Sequence, residues 1–337
     1  MTTTSEVTPE TKKALVCGVS GQDGAYLSEL LLAKGYRVVG TSRDSASANV
    51  SGLKALGLLG RLELVSMVPN DFRSVLSTVV RHAPDEIYNL AGQSSVGLSF
   101  DQPVEAIESI AIATLNLLEA IRFVGRPIRL YNAGSSESFG ETGSASADED
   151  TPFRPRSPYA VAKACAHNLV ANYRDAYGTF ACTGILFNHE SPLRPERFVT
   201  QKIVKTAFEI ATHRRSEKLL LGNLDVHRDW GWAPEYVDAM WRMLQLERPC
   251  DLVISTGRTV SLEHFVSRAF ACFGLDWRQH VAQDPALYRP SDLERVAGDP
   301  ARAAEVLGWR AHTDVDTVID LMCRAREQGA AGAGAEQ

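Results

Sequence analysis

Gly18, Gly21 and Gly24 stand between a short apolar run at residues 14–18 and a stretch at 26–35 whose leucines recur at helical spacing. A strand that turns through glycines into a helix opens a βαβ unit, which restricts the chain to folds built on a parallel sheet. Absent side chains let the backbone approach a pyrophosphate, and the helix N-terminus faces its charge. The three glycines are therefore candidate dinucleotide contacts.

The alternation continues, with strands expected at 37–42, 62–65, 86–91, 128–133 and 182–187 and long helices at 103–122 and 157–177. The expected fold class is α/β: a doubly wound parallel Rossmann sheet with a smaller, interleaved C-terminal substrate lobe. Residues 1–11 are polar and aperiodic and read as a disordered tail, and 12–187 as the NADP-binding Rossmann domain. Prolines 192, 195, 234, 285 and 290 break up the pattern over 188–325, the mainly substrate-binding lobe. Segments near 232–260 are expected to return to the first domain, and the helical stretches 237–241 and 265–273 to its core. The low-complexity end, 326–337, reads as a flexible tail.

A net charge of −6 over 337 residues leaves no broad basic field, so nucleic acid is not an expected partner. Six cysteines lie singly, without metal or redox spacing, so no metal is expected. No apolar stretch approaches membrane-spanning length and no secretory h-region opens the chain; a cytoplasmic protein without a membrane partner is expected.

At the end of the second strand an acidic residue would take an adenosine ribose diol and an arginine a 2′-phosphate. The chain offers Arg43, flanked by Ser42 and Ser45, which favours NADP; Asp44 leaves NAD as the alternative.

Tyr159 and Lys163 are four residues apart on the helix after Pro158, so both side chains share one face. A phenol with a pKa near ~10 serves as a base at neutral pH only beside a cation, which Lys163 can supply. Ser135 follows the strand at 128–133, where open α/β sheets place ligands, and can hold a substrate oxygen. Glu137, two residues on, adds a second proton-transfer group, which points beyond simple redox to dehydration. In the second lobe Lys202, Arg228 and Arg289 are natural clamps for a diphosphate and base.

The strings GVSGQDGAYL (18–27), NLAGQSSV (89–96), SPYAVAK (157–163) and FNHESP (187–192) closely resemble GDP-mannose 4,6-dehydratases, which are extended short-chain dehydrogenase/reductases. FVTQKI (198–203), LGNLD (221–225), RDWG (228–231), GDPARA (298–303) and LGW (307–309) extend the resemblance from Lys12 to about Trp309. It implies a catalytic set of Ser135, Glu137, Tyr159 and Lys163. It places Gln22, Asp23, Leu90, Ala91, Gln93, Ser94, Lys163, His189 and Arg194 at the cofactor. Asn188 would face the sugar nucleotide, Arg228 and Arg289 its diphosphate, and Asn223 and Glu294 its nucleoside. The chain departs from the family at Val68-Pro69, at Glu105, where a Tyr is common, and at Asp44.

The implied activity converts a GDP-sugar to its 4-keto-6-deoxy form by internal hydride transfer and loss of water, in a homodimer or homotetramer. A GDP-manno-heptose dehydratase with the same chemistry is the alternative. An NADPH-dependent 4-keto-sugar reductase and a non-catalytic sugar-nucleotide binder are the further ones.

Overall fold

The computed structural model describes residues 11–288 and 291–335. Of the expected N-terminal tail only Thr11 is among them, and Arg289 lies outside the described residues. Strands β1 (Lys13–Cys17), β2 (Arg37–Ser42), β3 (Glu63–Ser66), β4 (Glu86–Asn89), β5 (Arg129–Ala133) and β6 (Ala181–Leu186) carry the first half. Between them lie α1 (Gln22–Ala33), α2 (Ser51–Ala55), α3 (Phe72–His82), α4 (Val96–Asp101), α5 (Pro103–Ile107), α6 (Ala113–Val124) and α7 (Pro158–Tyr177). The helix expected over 103–122 contains a π-helical stretch at Glu108–Ile112 that joins α5 to α6. Hydrophobic spacing alone does not reveal that widening.

The second half adds β7 (Asn188–Glu190), α8 (Val199–Ala211), β8 (Leu219–Leu221), β9 (His227–Trp232), α9 (Ala233–Met243), β10 (Leu252–Ile254), β11 (Thr259–Ser261) and α10 (Leu262–Cys272). After these come α11 (Trp277–His280), β12 (Val281–Gln283), β13 (Arg295–Val296), α12 (Ala301–Leu307) and α13 (Val315–Ala335).

The main sheet has seven strands in the order β10-β6-β5-β4-β1-β2-β3, and each neighbouring pair is parallel. Strand order reverses between β1 and β4, and the crevice at the carboxyl ends of strands on either side of such a reversal is where open α/β sheets bind ligands. The fully buried runs of β1 and β4 suit strands covered on both faces. Leu15, Val75, Ile87, Leu117 and Leu130 pack on one side of this sheet, and Val16, Leu27, Tyr88, Tyr131 and Met240 on the other.

β10 extends this sheet beside β6, and α9 packs on α1, so residues 233–254 lie against the first half. Residues 265–273 do not. α10 packs on α8 and α13, where Phe265, Val266 and Phe270 join Ile203, Val318 and Met322 in a second core. An apolar helical face must find a core, but its periodicity does not say which one. The flexible tail expected from 326 is likewise helical as far as Ala335, in keeping with the high helix propensity of its alanines.

Candidate active site

Each glycine of the first turn has its own structural reason. Gly18 has φ +82°, and a Cβ there would lie 3.0 Å from Ala91 Cα, so the turns after β1 and β4 touch. A Cβ on Gly24 would meet Gly18 O at 2.4 Å and Val19 Cα at 2.6 Å; its absence lets α1 dock on the turn. At Gly21 the nearest atom would be 3.4 Å away, so protein packing leaves open the space in front of it. Gly21 is also the N-cap of α1, whose first N–H groups have no partner within the helix. That open cradle at a helix N-terminus fits a dinucleotide pyrophosphate.

Two glutamines expected at the cofactor have their side chains engaged elsewhere. Gln22 donates to the His189 carbonyl at 3.1 Å and accepts from Ser191 Oγ at 2.7 Å, tying α1 to residues 189–191. Gln93 folds onto its own loop, donating to Ser95 O and accepting the Ser95 N–H, both at 2.9 Å. Leu90 and Ser94 do line the central cavity.

His189 Nδ1 lies 2.7 Å from Phe187 O and Nε2 lies 2.9 Å from Asp23 Oδ2. Both partners only accept hydrogen bonds, so both ring nitrogens carry protons. Burial opposes the charge, but Asp23 outweighs it and the His189 pKa is raised. Burial likewise works against the Asp23 carboxylate, yet His189 brings it down to about 2. The pair joins α1 to β7, and the imidazole stacks on Tyr236 with ring centroids 4.6 Å apart.

Ser135, Glu137, Tyr159 and Lys163 converge on a cavity of about 410 Å³. Ser135 follows β5 in extended conformation and caps the 3₁₀ turn Ser136–Phe139, its Oγ accepting the Glu137 N–H at 3.3 Å. This cap aims a half-buried Glu137 into the cavity. Ser157 caps α7, and Pro158 opens it, so Tyr159 and Lys163 enter on its first turns.

The expected lowering of the Tyr159 pKa by Lys163 is not present in this state. Burial pushes Tyr159 up to about 12, and the hydrogen bond to Ser135 is the largest opposing influence. Lys163 itself is brought down to about 8 by burial, and its Nζ donates to Ala133 O at 2.7 Å. The ammonium sits 5.8 Å from the Tyr159 ring centroid. The resting phenol therefore keeps its proton.

Asn188, His189, Arg194, Lys202, Asn223 and Arg228 line the same cavity. Arg194 packs over Phe198 at 3.9 Å and pairs with Glu190 at 3.5 Å. Lys202 donates to Leu220 O at 2.9 Å, and the buried Arg228 to His227 O at 2.8 Å. Glu294 is exposed outside the cavity, its N–H donating to Glu141 at 2.7 Å, and Asp292 lines the wall in its place.

Sequence reasoning missed Arg197, whose guanidinium reaches Ser94 at 3.3 Å, and Thr200, which donates to Glu190 at 2.6 Å. The closely spaced cations of residues 194–197 were the available signal for the first. Arg43, at the end of β2, contacts Glu105 from α5 at 3.4 Å. Among the described residues no group of three or more His, Cys, Asp or Glu could hold a metal, and no helix is long and apolar enough to cross a membrane.

A seven-stranded parallel sheet with a glycine cradle at its reversal, and Ser, Tyr and Lys around one cavity, define an extended short-chain dehydrogenase/reductase. The dTDP-glucose 4,6-dehydratase DesIV from Streptomyces venezuelae, solved with NAD and TYD, shares this fold at TM-score 0.85 and 21% identity, covering 95% of this chain and 98% of that one. RMD from Pseudomonas aeruginosa, solved with NADPH, does so at TM-score 0.78 and 21% identity, covering 95% and 98%.

Within that class the chain belongs to the GDP-mannose 4,6 dehydratase family, whose profile matches residues 15–322. It is 45% identical over 336 residues to the GDP-mannose 4,6-dehydratase of Sinorhizobium fredii, covering 93% of this chain and 95% of the relative. To GDP-mannose 4,6 dehydratase 2 of Arabidopsis thaliana it is 42% identical over 330 residues, covering 94% and 87%.

Proposed function

We propose that this chain is an NADP-dependent GDP-mannose 4,6-dehydratase, acting in the cytoplasm as a homodimer or homotetramer. One observation carries the reading: the Glu137 carboxylate, set by the Ser135 cap, opens into the same cavity as the Tyr159 hydroxyl. Oxidation at C4 alone needs no such acid, whereas elimination of water across C5 and C6 does.

Once its phenolic proton has passed to solvent, Tyr159 takes the proton of the sugar 4-hydroxyl as the phenolate, and Ser135, hydrogen-bonded to Tyr159, holds that oxygen in place. A dinucleotide, which the Gly18–Gly24 turn would hold with its pyrophosphate at Gly21, would supply a hydride acceptor for C4 and a donor for C6. Glu137 removes the C5 proton, made acidic by the neighbouring ketone, and protonates the departing C6 hydroxyl; as hydride returns to C6, C5 takes a proton from solvent. Lys163, bound to the Ala133 carbonyl, holds a buried positive charge beside Tyr159 that favours its phenolate as the proton leaves. Arg228 and Lys202, both on the cavity wall, would take the diphosphate, and Asn188 and Asn223, on the same wall, would take the sugar nucleotide. Arg289 joins them in this reading.

Incubation with GDP-mannose and catalytic NADP should yield a sugar nucleotide lighter by one water, with no net NADPH consumption. Glu137→Gln should cut product formation by ~10²–10⁴ while hydrogen exchange at C4 persists, and Tyr159→Phe should stop both. Near-normal turnover of Glu137→Gln would sink the dehydratase reading. Faster turnover of GDP-manno-heptose in a parallel incubation would replace the hexose by the heptose.

A further inference from the structure

Arg43 stands where the adenosine ribose of a dinucleotide on the glycine cradle arrives, at the carboxyl end of β2. Its side chain is 77% exposed, yet Nη1 already faces Glu105 Oε1 at 3.4 Å. The other acid at this corner is turned into its own loop. Asp44 Oδ1 accepts the Ala46 N–H at 2.9 Å and Oδ2 the Ser47 hydroxyl at 2.8 Å, so each oxygen already accepts a hydrogen bond from its own loop. The carboxylate nevertheless keeps its charge next to Arg43.

We infer that Glu105 sets the dinucleotide preference of this chain by competing with a ribose 2′-phosphate for Arg43. This rests on the dinucleotide reading of the site. A phosphate at Arg43 either displaces Glu105 or sits beside its negative charge, whereas the uncharged 2′-hydroxyl of NAD meets neither obstacle. The chain thus retains an arginine that selects NADP and adds a carboxylate that blunts the selection. A like charge roughly 6 Å from the phosphate, in the high effective dielectric of an exposed site, weakens binding on the order of tenfold.

The test is a set of dissociation constants for NADP and NAD, measured by titration calorimetry on the full chain without turnover. Glu105→Gln should tighten NADP on the order of tenfold and change NAD by less than about twofold, and the gain should shrink as salt screens it. Glu105→Ala should behave alike, and in an Arg43→Ala background the gain should vanish. Equal tightening of both dinucleotides, or no change while both bind, would overturn the role of Glu105. A wild-type chain that binds neither dinucleotide would overturn the cofactor reading together with it, a result distinct from the other two.

Discussion

The glycine turn separates two demands that a single motif usually conflates, and two alanine substitutions tell them apart. At Gly24 the new methyl would lie 2.4 Å from Gly18 O, against ordinary contact from 3.4 Å, so α1 would have to lift by about 1 Å. Gly18 O is held by the Gly21 N–H at 3.1 Å, and both obstructing atoms are backbone, so no rotamer relieves the clash. Overpacking costs ~1–3 kcal/mol and the gain in helix propensity returns up to ~1, for a net loss of about 1–2 kcal/mol.

At Gly21 the backbone, φ −78° and ψ 171°, is open to alanine, and the nearest atom is 3.4 Å away. Lower unfolded-state entropy stabilises by ~0.4–1 kcal/mol and the poorer N-cap costs about as much, so stability should stay within about 0.5 kcal/mol. The methyl instead occupies the approach of the pyrophosphate. Displacing one or two charge-assisted hydrogen bonds should weaken dinucleotide binding by ~10- to 100-fold. Urea unfolding followed by circular dichroism, beside calorimetric titration of the dinucleotide, reads both. Gly24→Ala should lower the midpoint by roughly 0.3–0.6 M, and Gly21→Ala should leave it in place. Equal destabilisation by both, or unchanged dinucleotide affinity in Gly21→Ala, would refute the division of roles.

The Asp23–His189 pair should leave a pH signature. Asp23 falls from 3.8 to about 2 on folding, so its contribution is present above pH 3.8 and is lost as pH falls toward 2. His189 is raised above 6.5, so its contribution is complete below that pH and is lost as pH rises through the folded value. The stability difference between wild type and Asp23→Asn or His189→Gln should therefore peak between pH 3.8 and 6.5 in urea titrations; a flat difference would remove the pair as a determinant. Ser135→Ala loses the cap on Glu137 and should cost ~0.5–1 kcal/mol of stability. Its kcat should fall by ~10- to 100-fold with little change in KM, because an acid out of place harms the reaction more than binding. A change in KM alone would contradict that.

Features set by local spacing were legible in the residues. Gly18, Gly21 and Gly24 require only a strand and a helix on either side, and Tyr159 and Lys163 only one helical turn, so the main sheet and the meeting of these side chains at one cavity could be anticipated. What distant chain segments decide was not legible. Gln22 has the chemistry of a ligand contact but meets Ser191, 169 residues away, and Glu294 is exposed outside a cavity that Asp292 lines. The amphipathic α10 fits either core equally well on periodicity, and only its packing on α8 and α13 decides between them. The pKa of Tyr159 depended on how deeply α7 is buried, a property of the whole lobe.

β7 is three residues long, yet Asn188 lines the central cavity while His189 is pinned to α1 through Asp23. Successive residues of a strand point to opposite faces, so one rigid peptide relays any displacement of the cradle to the sugar side. The wall at residues 220–226 is carried by short strands and turns of the second lobe. Accommodation of a larger or differently substituted sugar therefore has a direction of least resistance in this molecule. It can proceed from that outer wall inward, while substitutions at Asn188 fall on a strand tied to the glycine cradle.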